Sequence, residues 1–71
     1  MKTIKELRLE KGWTQKEFGK KFRKVKSPEV VSRWENGVSA PSGLSLMEIS
    51  KIFNIDFSNI LIDKSIKKEA K

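Results

Sequence analysis

The sequence predicts a single all-α domain built from five short helices. Apolar residues recur three and four positions apart within short segments, which is the spacing of one helix face. Gly, Pro, Asn and Ser separate these segments, and no segment alternates polar and apolar residues long enough to predict a strand, so we expect no sheet. A chain of 71 residues suffices for one small domain but not for two.

The first two predicted helices cover residues 3–11 and about 14–22, with Gly12 as the stop between them. The second begins with a capping box. In this motif the hydroxyl of Thr14 accepts from the backbone N–H of Glu17, and the Glu17 carboxylate accepts from the backbone N–H of Thr14. Such a box marks a helix start from local sequence alone.

The third predicted helix covers residues 28–35. Ser27 is a good N-cap, and Pro28 suits the first helical position because its missing N–H would have no helical partner there. Asn36 and Gly37 are expected to end this helix.

The fourth and fifth predicted helices cover Gly43–Phe53 and Phe57–Ile62. Either Ser42 or Ser45 can cap the fourth helix, since both precede a suitable pattern. Asp56 is the expected cap of the fifth helix.

We expect the apolar faces of these helices to form one core. Its predicted members are Leu7, Phe18, Phe22, Val31, Trp34, Leu46, Ile49 and Phe53, and Ile60 and Leu61 should also turn inward. Residues 1–62 would then form the domain, and residues 63–71 a charged and frayed C-terminal tail.

The charge of the chain is strongly positive and unevenly spread. Lys and Arg number 16 against 9 Asp and Glu, which gives a net charge of +7. Residues 1–27 hold ten basic and three acidic residues, so the excess is concentrated in the first third of the chain. Such an excess points to a polyanionic partner, with nucleic acid first and an anionic membrane second. Charge alone leaves a solvated lysine-rich surface open as the alternative.

The composition excludes several classes of protein. The chain has no cysteine and no histidine, which removes disulfides, thiolate metal sites and the commonest general base. The longest apolar run, at residues 60–62, is too short to span a bilayer, and the N-terminus does not read as a secretory signal. We therefore expect a cytoplasmic protein that is not an enzyme. We expect it to bind no metal, cofactor or small-molecule ligand and not to associate with a membrane.

The second and third predicted helices, joined by a short polar connection, have the layout of a helix-turn-helix, whose second helix enters the DNA major groove. On the exposed side of that helix, Arg33 can donate to guanine O6 and N7, and Glu29 can accept from a cytosine amino group. Pro28 and Val30 offer apolar contact to a thymine methyl group. The four-residue spacing of Glu29 and Arg33 equally suits a surface ion pair, and the residues alone do not decide between the two.

Contacts with DNA phosphates are expected around the second helix. Its N-terminus presents unpaired N–H groups and a positive dipole, and the amide of Gln15 lies there. Gln15 can alternatively be a polar residue that the first turn merely tolerates. Basic and hydroxyl side chains that follow are the other candidates for phosphate contact, namely Lys16, Lys20, Lys24, Lys26 and Ser27.

Motifs spread over nearly the whole chain carry a family resemblance. They are Leu7-Arg8, Gly12-Trp13-Thr14-Gln15, Phe18, the stretch Val31 to Gly37, Pro41-Ser42, and the stretch Ile49 to Ile55. From about Met1 to Ile62 the chain resembles the helix-turn-helix family of phage repressors and Cro proteins, also called the xenobiotic-response-element family.

The resemblance implies a five-helix, lambda-repressor-like domain that binds double-stranded DNA. It implies that Gln15 contacts phosphate, as do Asn36 and the backbone after Gly37. It also implies that Arg8 and Glu35 form an internal, structural ion pair. The positions that the resemblance turns toward base edges are Pro28, Glu29 and Arg33.

The chain departs from the family pattern around the predicted helix-turn-helix. The connection formed by residues 23–26 is about two residues longer than the usual turn and lacks the glycine often seen there. Pro28 stands where relatives often carry glutamine, and a proline has no side-chain amide with which to contact a base.

We therefore expect a small sequence-specific transcriptional regulator, acting as a repressor, of a phage, a mobile element or a bacterial chromosome. A homodimer, formed in solution or only on DNA, would match palindromic operators. The resemblance suggests pairing through the last helix, which Ile62 and Ile66 could extend. The alternative is an antitoxin or co-regulator module whose main partner is another protein.

Overall fold

A computed structural model describes residues 2–61 of the chain. Within this range the fold is mostly helical. The helices are α1 (Ile4–Glu10), α2 (Gln15–Gly19), α3 (Pro28–Glu35) and α4 (Gly43–Phe53), followed by a 3₁₀ turn (Phe57–Asn59). Two short strands, β1 (Lys2–Thr3) and β2 (Ile60–Leu61), complete the order of elements. The predicted bounds of the third and fourth helices are confirmed. None of the helices within residues 2–61 is long and apolar enough to cross a membrane.

Each α-helix within residues 2–61 begins at a hydroxyl side chain. Each capping oxygen accepts a hydrogen bond from the backbone N–H three residues later, and the four caps are Thr3, Thr14, Ser27 and Ser42. The capping box of Thr14 and Glu17 is confirmed, and Thr3 forms a second box with Glu6. Ser42 rather than Ser45 starts α4, because Ser45 lies buried inside the first turn and accepts from the Ser42 hydroxyl.

The predicted fifth helix over residues 57–62 is not confirmed, because only Phe57–Asn59 form a helical turn and Ile60–Leu61 form a strand. Asp56 does begin a turn, since its side chain accepts from the backbone N–H of Ser58, which lowers the pKa of the Asp56 carboxyl. The N–H of Asn59 then bonds to the Asp56 carbonyl three residues back, so the turn is 3₁₀ rather than α. It gives way at once to β2.

The expectation that the chain has no sheet is wrong. Strands β1 and β2 run parallel, with Lys2 opposite Ile60 and Thr3 opposite Leu61. Successive strand residues point to opposite faces, so Ile60 is buried while Leu61 is 48% exposed. The inward orientation expected for Leu61 is therefore wrong as well. Strands of two residues are too short to carry an alternating pattern that sequence could reveal.

One apolar core joins the four α-helices and β2. Its buried members are Ile4, Leu7, Phe18, Phe22, Val31, Trp34, Ile49, Phe53 and Ile60. At the centre Phe18, Val31 and Ile49 are fully buried, which ties α2, α3 and α4 together. Leu46, expected in the core, lies half-buried at its margin.

The connection between α2 and α3 folds back onto the end of α2. Helix α2 ends at Gly19, earlier than the predicted residue 22. The backbone N–H of Lys26 donates to the Gly19 carbonyl over 3.0 Å, and a Cβ at Gly19 would lie 2.0 Å from the Lys26 carbonyl oxygen. Farther along, the N–H of Arg23 donates to the carboxylate of Glu48 over 2.8 Å, which fixes the connection against α4. The connection therefore requires a glycine at position 19, at the end of α2, because a larger residue would collide with Lys26.

The substitution Gly19→Ala tests this close approach. Although alanine is the better helix former, its methyl group would overlap the Lys26 carbonyl. We expect the free energy of unfolding to fall by about 2 kcal/mol or more. Gly43→Ala is the matched control, because no atom lies within 4 Å of a Cβ there, and it should be neutral or raise stability by up to about 1 kcal/mol. Urea unfolding measures both changes, and equal effects of the two variants would refute the contact.

Candidate nucleic-acid interface

A buried ion pair joins α1 to the C-terminal end of α3. Nε of Arg8 donates to Oε2 of Glu35 over 2.6 Å, and Nη2 donates to Oε1 over 3.1 Å. Nη1 of Arg8 donates to the carbonyl oxygen of Trp13 over 2.7 Å, which holds the segment leading into α2. The two side chains are 9% and 2% exposed, so each charge depends on the other for compensation.

The same carboxylate also fixes Gln15 at the start of α2. Nε2 of Gln15 donates to Oε1 of Glu35 over 3.1 Å. A primary amide has two N–H donors and one acceptor oxygen. The second N–H and the oxygen of the Gln15 amide form no hydrogen bond within residues 2–61. Glu35 therefore holds the Gln15 amide beside α3 and leaves it able to bind a partner.

A shallow depression brings the N-terminus of α2 and the exposed face of α3 together. It is lined by Gln15, Pro28, Glu29, Ser32 and Arg33. Glu29 and Arg33 are exposed, and within residues 2–61 they form no ion pair with each other. A carboxylate acceptor, a guanidinium donor and an amide thus share one surface, which suits hydrogen bonding to base edges and phosphate oxygens.

Two residues near this depression have structural roles in the folded chain. Val30, a candidate for contact with a thymine methyl group, does not line the depression and is half-buried against the core. The hydroxyl of Ser27 accepts from the Val30 N–H over 3.2 Å as the α3 cap. Its hydroxyl hydrogen can still donate to a partner.

Ser32 also lines the depression, although it is not among the residues predicted from the sequence. Its hydroxyl accepts from Nδ2 of Asn36 over 3.1 Å. Ser32 follows Pro28 by four positions and Glu29 by three, so helical spacing places it on the same face. That spacing was the signal that could have identified it.

The candidate phosphate contacts lie mostly at the surface of α2 and the connection after it. Lys16, Lys20, Lys24 and Asn36 are exposed, and Lys26 is half-buried. Lys21 behaves differently from its neighbours, because its ammonium lies 4.8 Å from the centre of the Trp13 ring. These exposed cations give α2 and the connection after it a positive surface.

The buried ion pair predicts a large effect of Glu35→Gln. The substitution leaves the Arg8 charge buried without a countercharge, so we expect the free energy of unfolding to fall by about 3 kcal/mol or more. The control is Glu10→Gln, which breaks the ion pair of Glu10 with Lys2. Those side chains are 51% and 53% exposed, and the expected loss is below about 1 kcal/mol. Thermal unfolding followed by circular dichroism compares them, and a small loss for Glu35→Gln would contradict the role given to the pair.

Comparison with known proteins agrees with this geometry. The family model described as Helix-turn-helix matches residues 4–60, which run from the start of α1 to the first residue of β2. No curated protein and no solved structure matches the chain significantly. The family match covers most of the chain and includes every residue of the depression. The chain therefore belongs to the Cro/C1-type helix-turn-helix family of DNA-binding regulators.

Proposed function

We propose that the protein is a sequence-specific transcriptional repressor that reads double-stranded DNA with α3 in the major groove. The observation that supports this most strongly is the depression in which Gln15 meets the exposed face of α3. A helix fits the width of the major groove, and only there do all four base pairs present distinct donor and acceptor patterns.

In this proposal three of the five lining residues have distinct tasks. The guanidinium of Arg33 donates to guanine O6 and N7, and the carboxylate of Glu29 accepts from a cytosine amino group. The amide of Gln15, held by Glu35, donates to a phosphate oxygen and sets the position of α3 relative to the DNA backbone. Because a carboxylate near phosphates is repelled unless it finds a donor, Glu29 acts mainly by rejecting wrong bases.

The remaining contacts are proposed to bind phosphates without reading sequence. They come from Lys16, Lys20, Lys24, Lys26, Ser27 and Asn36. Their charges would attract the duplex and raise affinity for all sequences alike. A repressor of this kind acts by occupying a promoter.

We also propose that two copies bind one operator. A single α3 reads only a few base pairs, and two-fold pairing doubles the readout on a palindromic site. The residues expected to extend the pairing surface, Ile62 and Ile66, lie outside the described residues, as does the expected tail.

Arg33→Ala should relax base preference at one position of each half-site. We expect discrimination there to fall by about 1–3 kcal/mol, because one bidentate base contact is lost. Lys20→Ala should instead weaken binding to all DNA sequences by a similar factor. Selection of bound sequences from a random duplex pool measures both. Unchanged preference after Arg33→Ala would overturn the assignment of this residue.

Binding should weaken steeply as salt concentration rises. Each phosphate neutralised adds about −0.9 to the slope of log affinity against log salt concentration. Lys16→Gln and Lys24→Gln should therefore each make the slope shallower by about 1. Lys5→Gln is the control, since Lys5 is exposed on α1 and has no part in the proposed contacts. A slope that is flat, or equally changed by the control, would contradict the proposed phosphate contacts.

A further inference from the structure

The outward face of α4 carries two large apolar side chains at its N-terminal half. Leu44 is 76% exposed and Met47 is 52% exposed, and they are three positions apart. Both line two adjoining depressions on this side of the helix. Leu44 and Met47 therefore share one surface, whereas the other exposed large apolar residues within residues 2–61 line neither depression. Adjacent exposed apolar side chains with polar groups around them are one feature of interaction sites.

Four cations border this apolar surface. Lys21, Arg23 and Lys24 lie on the connection between α2 and α3, and Lys51 lies one turn beyond Met47 on α4. Together with Leu44 and Met47, these four residues define what we call the α4 groove. One acidic residue, Glu48, also lines it, but its carboxylate accepts from the Arg23 backbone N–H. The groove therefore has an apolar floor and a positive rim.

This combination selects among possible occupants. A phosphate backbone would use the cations but would gain nothing from exposed leucine and methionine side chains. A second copy of the chain would place one positive rim against another, which is unfavourable. An acidic amphipathic helix satisfies both features, since its apolar face would cover the floor while its carboxylates meet the rim.

We propose that the α4 groove is a docking site for an acidic amphipathic segment of a partner protein. The site is distinct from the proposed DNA-reading surface, because no residue lines both this groove and the depression at Gln15 and Arg33. The proposal therefore does not rest on the proposed function. Lys24 alone belongs both to the rim and to the proposed phosphate contacts, so the tests below leave it unchanged.

The probe is a fluorescein-labelled synthetic helix of about 16 residues, with leucines on one face and glutamates on the other. A scrambled peptide of the same composition is its control. Titration with the full chain is followed by fluorescence anisotropy. We expect the amphipathic peptide to bind at least tenfold more tightly than the scrambled one, because only the former presents an apolar face to the floor.

The variant Leu44→Gln/Met47→Gln should lose at least tenfold in affinity for the peptide. Its matched control, Leu9→Gln/Val38→Gln, removes two exposed apolar residues elsewhere and should bind as the parent chain does. Lys51→Glu should also weaken binding, whereas Lys5→Glu, on α1, should have a much smaller effect. All six substituted positions are exposed, and thermal unfolding checks that each of the four variants folds.

Several outcomes would overturn the proposal. These are no binding of the peptide, equal binding of the scrambled peptide, or equal losses in the double variant and its control. If Leu44→Gln/Met47→Gln weakened binding to duplex DNA as much as binding to the peptide, the groove would belong to a DNA interface. If sedimentation showed that the parent chain dimerises and this variant does not, the occupant would be a second copy. If this variant lost peptide binding but kept its DNA binding and its oligomeric state, the result would support the proposed docking site.

Discussion

The arrangement of the candidate DNA-reading surface depends on one carboxylate, that of Glu35. This carboxylate accepts hydrogen bonds from Arg8 of α1 and from Gln15 of α2, and Glu35 is itself the last residue of α3. Three helices that are separate in sequence are thereby held at one point. Burial makes the ion pair costly to break but does not by itself make it a large source of stability. Its main consequence is geometric, because it fixes an amide beside the exposed face of α3.

The connection after α2 is held against two helices by backbone hydrogen bonds. Residues 20–27 fold back onto Gly19 and reach across to Glu48 on α4. Phe18 and Val31 remain fully buried on either side of the connection, so α2 and α3 still pack through the core. Most residues of the connection lie at the surface, where Lys21, Arg23 and Lys24 line the α4 groove.

Local signals predicted much of this structure, and non-local contacts account for what they missed. Thr14, Ser27 and Pro28 specify helix starts through neighbours within three residues, which is why those starts were predictable. The pairing of Lys2 with Ile60 joins residues far apart in sequence and carries no periodic signal. The need for glycine at position 19 arises from Lys26 across a folded connection. At the candidate site, Arg33 and Glu29 followed from helical spacing, whereas the withdrawal of Val30 toward the core required the packed structure.

We propose that the surface formed by Gln15 and α3 is the one that meets DNA. Nuclear magnetic resonance of the ¹⁵N-labelled chain during titration with selected duplex tests this residue by residue. We expect the largest shifts at the Gln15 side-chain amide, at the Arg33 Nε–H and at the backbone amides of residues 28–33, with small shifts at Leu44 and Met47. Largest shifts on α4, with α3 unaffected, would contradict the claim.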